Sequence, residues 1–169
     1  MILEVLQYPD PRLHEVAKPV TEITPELAEL ARNMVETMYA EKGIGLAAPQ
    51  VGELVRLIVV DVKDPEEEPD PKIFINPEIT PLGGSIVCEE GCLSVPDYRA
   101  EVERVERIHV RALNLDGKTV EFEADDIFAI CLQHEVDHLD GKLFIDRISR
   151  LKRSLYAASM RKRLKREQG

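Results

Sequence analysis

The stretch His134-Glu135-Val136-Asp137-His138 constrains this chain more than any other. Residues i and i+4 of a helix share a face, with Cβ atoms roughly 5–6 Å apart, so two neutral imidazoles in this HExxH spacing can hold one divalent ion. Glu135 lies about 100° further round the helix. It is badly placed as a ligand on the same axis and well placed to take a proton from a water activated there. The bland alternative is a solvated, charged helix with incidental histidines, and the flanking residues argue against it. Ile127, Ile130, Cys131, His134 and His138 recur at helical spacing, so the histidines continue an apolar stripe that points into the protein. Asp125 or Asp126 supplies an N-cap and Gly141 a stop. Leu132, Val136 and Leu139 take the other side, which predicts a helix buried on several faces. A metal site inside a core, beside an apolar pocket, suits a hydrolytic centre.

A chain of 169 residues is expected to form one domain with a core of its own. Aromatics at 5% and the absence of Trp make that core aliphatic. No apolar run approaches the ~18–20 residues of a membrane span, and Met1 to Glu4 does not read as a signal peptide, so the expectation is a cytoplasmic protein. Cys88, Cys92 and Cys131 are an odd number in a reducing compartment, which ranks thiolate or buried-thiol roles above a disulfide. The net charge of −10 is unevenly spread: residues 147–169 hold nine Lys or Arg against one acid, a net of +8, leaving −18 for residues 1–146. Ser149 to Glu167 reads as a basic terminal helix with Leu151, Leu155, Ala158 and Leu164 on its apolar side. It is either a solvated helix or a docking surface for an anionic partner such as RNA.

Thr24-Pro25 opens a helix whose buried side, Leu27 to Met38, runs up to Lys42-Gly43. Gly43 to Gln50 is too small and glycine-rich for a regular element. Strands are expected over Val55–Val62, Lys72–Asn76, Ser85–Val87 and Ala100–Val105, followed by a hairpin of Ile108–Leu115 and Lys118–Glu123 about Asp116-Gly117. The fold class is therefore α+β: mostly antiparallel strands packed around a central HExxH metal-binding helix, with an N-terminal and a C-terminal helix. No repeat, linker or second domain interrupts residues 1–169.

A catalytic site of this kind keeps three protein ligands and one open position. The metzincin pattern would place a His at position 144, which is Phe144, so that reading fails. His14, His109, Cys88, Cys92 and Cys131 remain as candidates. Cys92, in Glu89 to Pro96 with Gly91 allowing close backbone approach, has the better geometry, but spacing does not choose between Cys92 and Cys88.

Three blocks in order, GIGLAAPQ (43–50), EGCLSVP (90–96) and QHEVDHLDG (133–141), make the chain resemble peptide deformylases of the bacterial type over essentially its whole length. The resemblance implies Cys92, His134 and His138 as metal ligands and Glu135 as general acid/base, with Gln50 and the Leu93 N–H as oxyanion donors. It implies one divalent ion, natively Fe(II) and replaceable by Zn, Ni or Co. The implied reaction removes the formyl group from the N-formylmethionine of nascent polypeptides and releases formate. Ile44, Cys88, Ile127, Ile130 and Cys131 are candidates for the methionine pocket, Gly43, Ile44 and Gly45 for main-chain pairing with the peptide, and Arg99 for its positioning. The basic helix would dock on the ribosome, and the protein would act as a monomer. The rival readings are a zinc endopeptidase and a non-enzymatic, metal-stabilised RNA-binding domain; oxyanion donors and a small-acyl site are superfluous to the second and too restrictive for the first.

Overall fold

The computed structural model describes residues 1–168. Among them, five strands form one antiparallel sheet in chain order: β1 (Gly45–Ala47), β2 (Leu57–Val60), β3 (Lys72–Cys92), β4 (Val95–Leu113) and β5 (Thr119–Asp125). Three α-helices accompany the sheet: α1 (Pro25–Ala40), α2 (Asp126–Leu139) and α3 (Arg150–Gln168).

Helix α1 starts where capping chemistry predicts, with Thr24 Oγ1 accepting the Leu27 N–H at 3.1 Å and Pro25 in the first turn. It buries Leu27, Ala31, Met34 and Met38 against Leu46, Leu57, Val59 and Ile75 of the sheet. Helix α2, which carries His134, Glu135 and His138, packs Ala129, Leu132 and Leu139 against Ile58, Val60, Ile108 and Val110. Asp125 occupies its N-cap position without a side-chain capping bond. Gly141, at φ 75°, turns the chain after the helix, where a β-carbon would meet the His14 carbonyl oxygen at 2.6 Å.

Four expectations are corrected. Ser85–Val87 and Ala100–Val105 are not separate strands but segments of β3 and β4, which pair from Ile75↔Leu113 to Cys92↔Val95. Register shifts between Ile75 and Glu78, Pro81 and Gly83, and Gly91 and Cys92 absorb the prolines and glycines that read as breaks. Gly43 to Gln50 is not wholly irregular, because β1 pairs with β2 through main-chain groups that side-chain size does not reveal. The apolar run 55–62 is a strand only over Leu57–Val60. In α3, Leu151 and Leu155 are 68% and 62% exposed, and Tyr156 and Met160 are the buried pair. Tyr156 sits between Tyr8 and Tyr98, at ring-centroid distances of 5.4 and 4.8 Å, and this aromatic contact fixes which face of the helix turns inward. The hairpin about Asp116-Gly117 forms as expected, with Gly117 at φ 77°. Among the described residues no helix is long and apolar enough to cross a membrane.

Candidate active site

Helix α2 and the tight β3–β4 connection face each other across a cleft. One ligand atom each from Cys92, His134 and His138 lies within 4.8 Å of the others, and Cys92 Sγ is 3.4 Å from His138 Nε2. A soft sulfur and two imidazoles fit a catalytic divalent ion, which takes three protein donors. The competing candidates sit elsewhere: His109 faces Glu121 at 3.8 Å, His14 faces Asp146 at 3.5 Å, and Cys131 Sγ contacts the Ile44 carbonyl at 3.6 Å. Burial pushes the Cys131 thiol up, with the charges of Glu135 and Glu90 adding to it, so it stays neutral.

Behind the cluster runs a network that motif reading missed. Glu90 Oε1 accepts from His134 Nδ1 at 2.9 Å, which fixes the tautomer and leaves Nε2 to face the other two donors. Arg104, only 5% exposed, donates from Nε and Nη2 to Glu90 at 2.8 and 2.7 Å and from Nη1 to Asp137 at 2.6 Å. Arg147 donates to both oxygens of Asp137. Burial would raise the Glu90 carboxyl, but hydrogen bonds from Arg104 and His134 outweigh it and hold the group down at about 2. These partners come from β3, β4, α2 and the turn after it, so no sequence spacing links them. The available signal was a carboxylate, Asp137, in an otherwise buried helix, which requires a cation.

Glu135 is buried, and its Oε1 has no hydrogen-bond partner within the protein. Burial pushes its carboxyl up to about 7; the negative charges of Glu90 and Asp137 add to this, and His134 and Arg104 oppose it. A carboxyl poised there exchanges protons readily near neutral pH. Gln50 is oriented by its own bonds: Oε1 accepts the Ala47 N–H at 2.9 Å, and Nε2 donates to Ser94 Oγ at 3.0 Å while lying 3.5 Å from Cys92 Sγ. The amide N–H₂ therefore faces the cluster rather than the oxygen. Ser94 N–H also points at Cys92 Sγ, at 3.4 Å.

Gly43, Ile44, Gly45, Cys88, Arg99, Ile127, Ile130 and Cys131 all line one cleft of about 630 Å³, together with Gln50, Cys92, Leu93, His134 and Glu135. His138 lies beneath it, fully buried. Ile127, expected to point inward, lies in the first turn of α2 and is 43% exposed where it lines the cleft. Arg99 pairs with Glu89 at 3.2 Å. The edge of β1 borders the cleft. Asp61 N–H donates to the Ile44 carbonyl, so antiparallel alternation turns the N–H and C=O of Gly45 the other way, towards the cleft.

Comparisons with known proteins identify the family. The family model described as polypeptide deformylase matches residues 2–154. A peptide deformylase of Rhodopseudomonas palustris is 49% identical over 166 residues, covering 96% of this chain and 95% of the relative. The crystal structure of a peptide deformylase from Legionella pneumophila superposes with a TM-score of 0.89 at 43% identity, covering 99% of this chain and 98% of the other. A class I type b peptide deformylase from Acinetobacter baumannii, solved with Met-Ala-Ser bound, gives a TM-score of 0.83 at 39% identity over 88% of this chain and 99% of the other. Matched along nearly its whole length by both sequence and fold, this chain belongs to the peptide deformylase family.

Proposed function

We propose that Cys92, His134 and His138 hold one divalent ion, Fe(II) in the cell, in an enzyme that removes the N-formyl group of nascent polypeptides and releases formate. The activity itself follows from family membership, and peptide deformylases are metal-dependent enzymes that act on formylated nascent peptides. The observation that carries the site assignment is the convergence of the three donors within 4.8 Å beside Glu135 and Gln50. When bound, the ion acts as a Lewis acid and lowers the pKa of water towards ~7, an effect tempered by charge donated from a thiolate.

The protein's own groups do the rest. Glu135 takes the proton from water and returns it to the departing amine nitrogen, so a carboxyl poised near neutrality serves both directions. Gln50 Nε2 and the Leu93 N–H donate to the oxygen on which negative charge develops, each worth roughly 3 kcal/mol of barrier. Ser94 holds the Gln50 amide in that orientation. Glu90 holds the His134 ring, and Arg104 holds Glu90.

Selectivity follows from shape. A formyl carbon carries only hydrogen, so the wall at Gly45-Leu46 excludes acetyl groups and internal peptide bonds. Ile44, Cys88, Ile127, Ile130 and Cys131 form the pocket for the methionine side chain. The peptide backbone lies as an added strand along Gly43 to Gly45 and the region after Cys88, with Arg99 positioning it. A tripeptide beginning with Met in the Acinetobacter baumannii relative supports this reading. We further read residues 1–169 as a single catalytic domain around the central metal-binding helix α2, acting as a cytoplasmic monomer whose basic segment 149–167 docks on the ribosome. The endopeptidase and RNA-binding-domain readings are not favoured by the family matches. The test offers formyl-Met-Ala, acetyl-Met-Ala and casein to the metal-loaded protein: only the first is consumed, and cleavage of casein would overturn the reading.

A further inference from the structure

Away from Glu135, the charged side chains that line the cleft are paired, with one exception. Arg99 pairs with Glu89, Asp97 with Arg163 at 2.8 Å, and Glu90 with Arg104. Lys42 also lines the cleft and is exposed, yet no carboxylate lies within 4.0 Å of its ammonium among the described residues. Its backbone is at φ 58°, in the left-handed region. Lys42 N–H donates to the Tyr39 carbonyl and Gly43 N–H to the Met38 carbonyl, which closes α1 at a position where Gly or Asn is the low-strain choice. The turn thus holds a long cation at a fixed point on the rim.

The edge of β1 determines which part of a peptide reaches that point. Gly45 abuts Glu135, since a β-carbon there would meet Glu135 Oε2 at 2.5 Å, so Gly45 marks the reacting end. Beyond Gly45 the edge is closed, because Gln50 Oε1 occupies the Ala47 N–H. A chain entering with its formyl end at Glu135 must therefore run back past Ile44 and Gly43, antiparallel to β1. With the methionine opposite Gly45, the third residue falls opposite Gly43 and the fourth opposite Lys42.

We propose that Lys42 is a specificity-determining residue that favours acidic side chains at the third and fourth positions of the formylated peptide. The inference rests on the deformylase reading above. It also gives this cation a purpose in a body of residues 1–146 that carries −18 and would otherwise repel acidic chains. A solvent-exposed ion pair of this kind is worth a two- to fivefold change, and salt screens it.

The test compares formyl-Met-Ala-X-Ala and formyl-Met-Ala-Ala-X, with X as Glu, Gln or Lys, on the metal-loaded protein at low and high salt. Binding of the corresponding deformylated tetrapeptides is measured by calorimetry in parallel. The expected result is a kcat/KM two- to fivefold higher for Glu than for Lys. The difference lies in KM, appears equally in the calorimetric affinities, shrinks at 0.5 M salt, reverses in Lys42→Glu and vanishes in Lys42→Gln. A Glu-to-Lys ratio near one in the unaltered protein, or a ratio that both variants leave in place, overturns the assignment of Lys42. Failure to release formate from any formyl peptide, formyl-Met-Ala included, would instead overturn the deformylase reading.

Discussion

At Gly45 the close approach of β1 to α2 leaves no room for a side chain: a β-carbon would meet Glu135 Oε2 at 2.5 Å and Cys131 Sγ at 2.9 Å. Both neighbours are buried, so neither can swing away freely. Gly45→Ala is expected to destabilise the protein by ~1–3 kcal/mol and to displace the Glu135 carboxylate, lowering kcat on formyl-Met-Ala at least tenfold. Thermal unfolding and steady-state kinetics measure the two effects; unchanged kcat would mean that the carboxylate position is not set here. Glu135→Gln removes the proton acceptor while keeping the shape, and a 10²–10⁴-fold loss of turnover with metal content unchanged is the expected outcome. Metal analysis beside the assay separates this from loss of the ion. The chemistry-bearing residues of α2 were legible because HExxH fixes their spacing on one element. Glu90 and Arg104 were not, since their meaning depends on β3, β4 and α2 coming together.

The α2, β3 and β4 elements share the Glu90–Arg104–Asp137 network, and pH reads it out. The Glu90 carboxyl is held at about 2, below its ordinary value of 4.5, by its bonds from Arg104 and His134. Its contribution is therefore fully present above pH 4.5 and is lost as the pH falls through about 2. The shift corresponds to an upper figure on the order of 3 kcal/mol. Urea unfolding of Glu90→Gln and the unaltered protein across this range should show a gap that is widest above pH 4.5 and closes towards pH 2. A gap independent of pH would contradict the ion pairing. Glu135 acts with the opposite sign: its carboxyl is raised to about 7, so in metal-free protein it subtracts stability as the pH rises from 4.5 through 7. Element types and caps were readable where side chains announce them, as at Thr24-Pro25 and Asp116-Gly117. The continuity of β3 and β4 was not, because bulges let main-chain pairing run through Pro77, Pro81 and Gly83.

Across the whole molecule charge is divided between an acidic body and a basic α3, and the helix is anchored rather than appended. Tyr156 and Met160 are buried beside Phe144, whose ring stacks 6.1 Å from His134, and Arg163 pairs with Asp97 at the cleft rim. Removing everything after Arg150 would thus disturb the core, whereas reversing the exposed Arg161, Lys162, Lys165 and Arg166 to Glu changes charge alone. That variant should bind ribosomes at least tenfold more weakly near 0.1 M salt while cleaving formyl-Met-Ala normally. Equal ribosome binding in a sedimentation assay would leave α3 as a structural helix only. The anchoring face of α3 escaped sequence reading because its apolar leucines face solvent and an aromatic cluster decides its rotation.

The central claim is that Cys92, His134 and His138 together grip one ion, and X-ray absorption at the metal edge of the zinc-loaded protein tests it most directly. One sulfur at roughly 2.3 Å and two imidazole nitrogens at roughly 2.0–2.1 Å are predicted, with the sulfur lost in Cys92→Ala. A spectrum of nitrogen and oxygen scatterers alone, identical in that variant, would contradict the account.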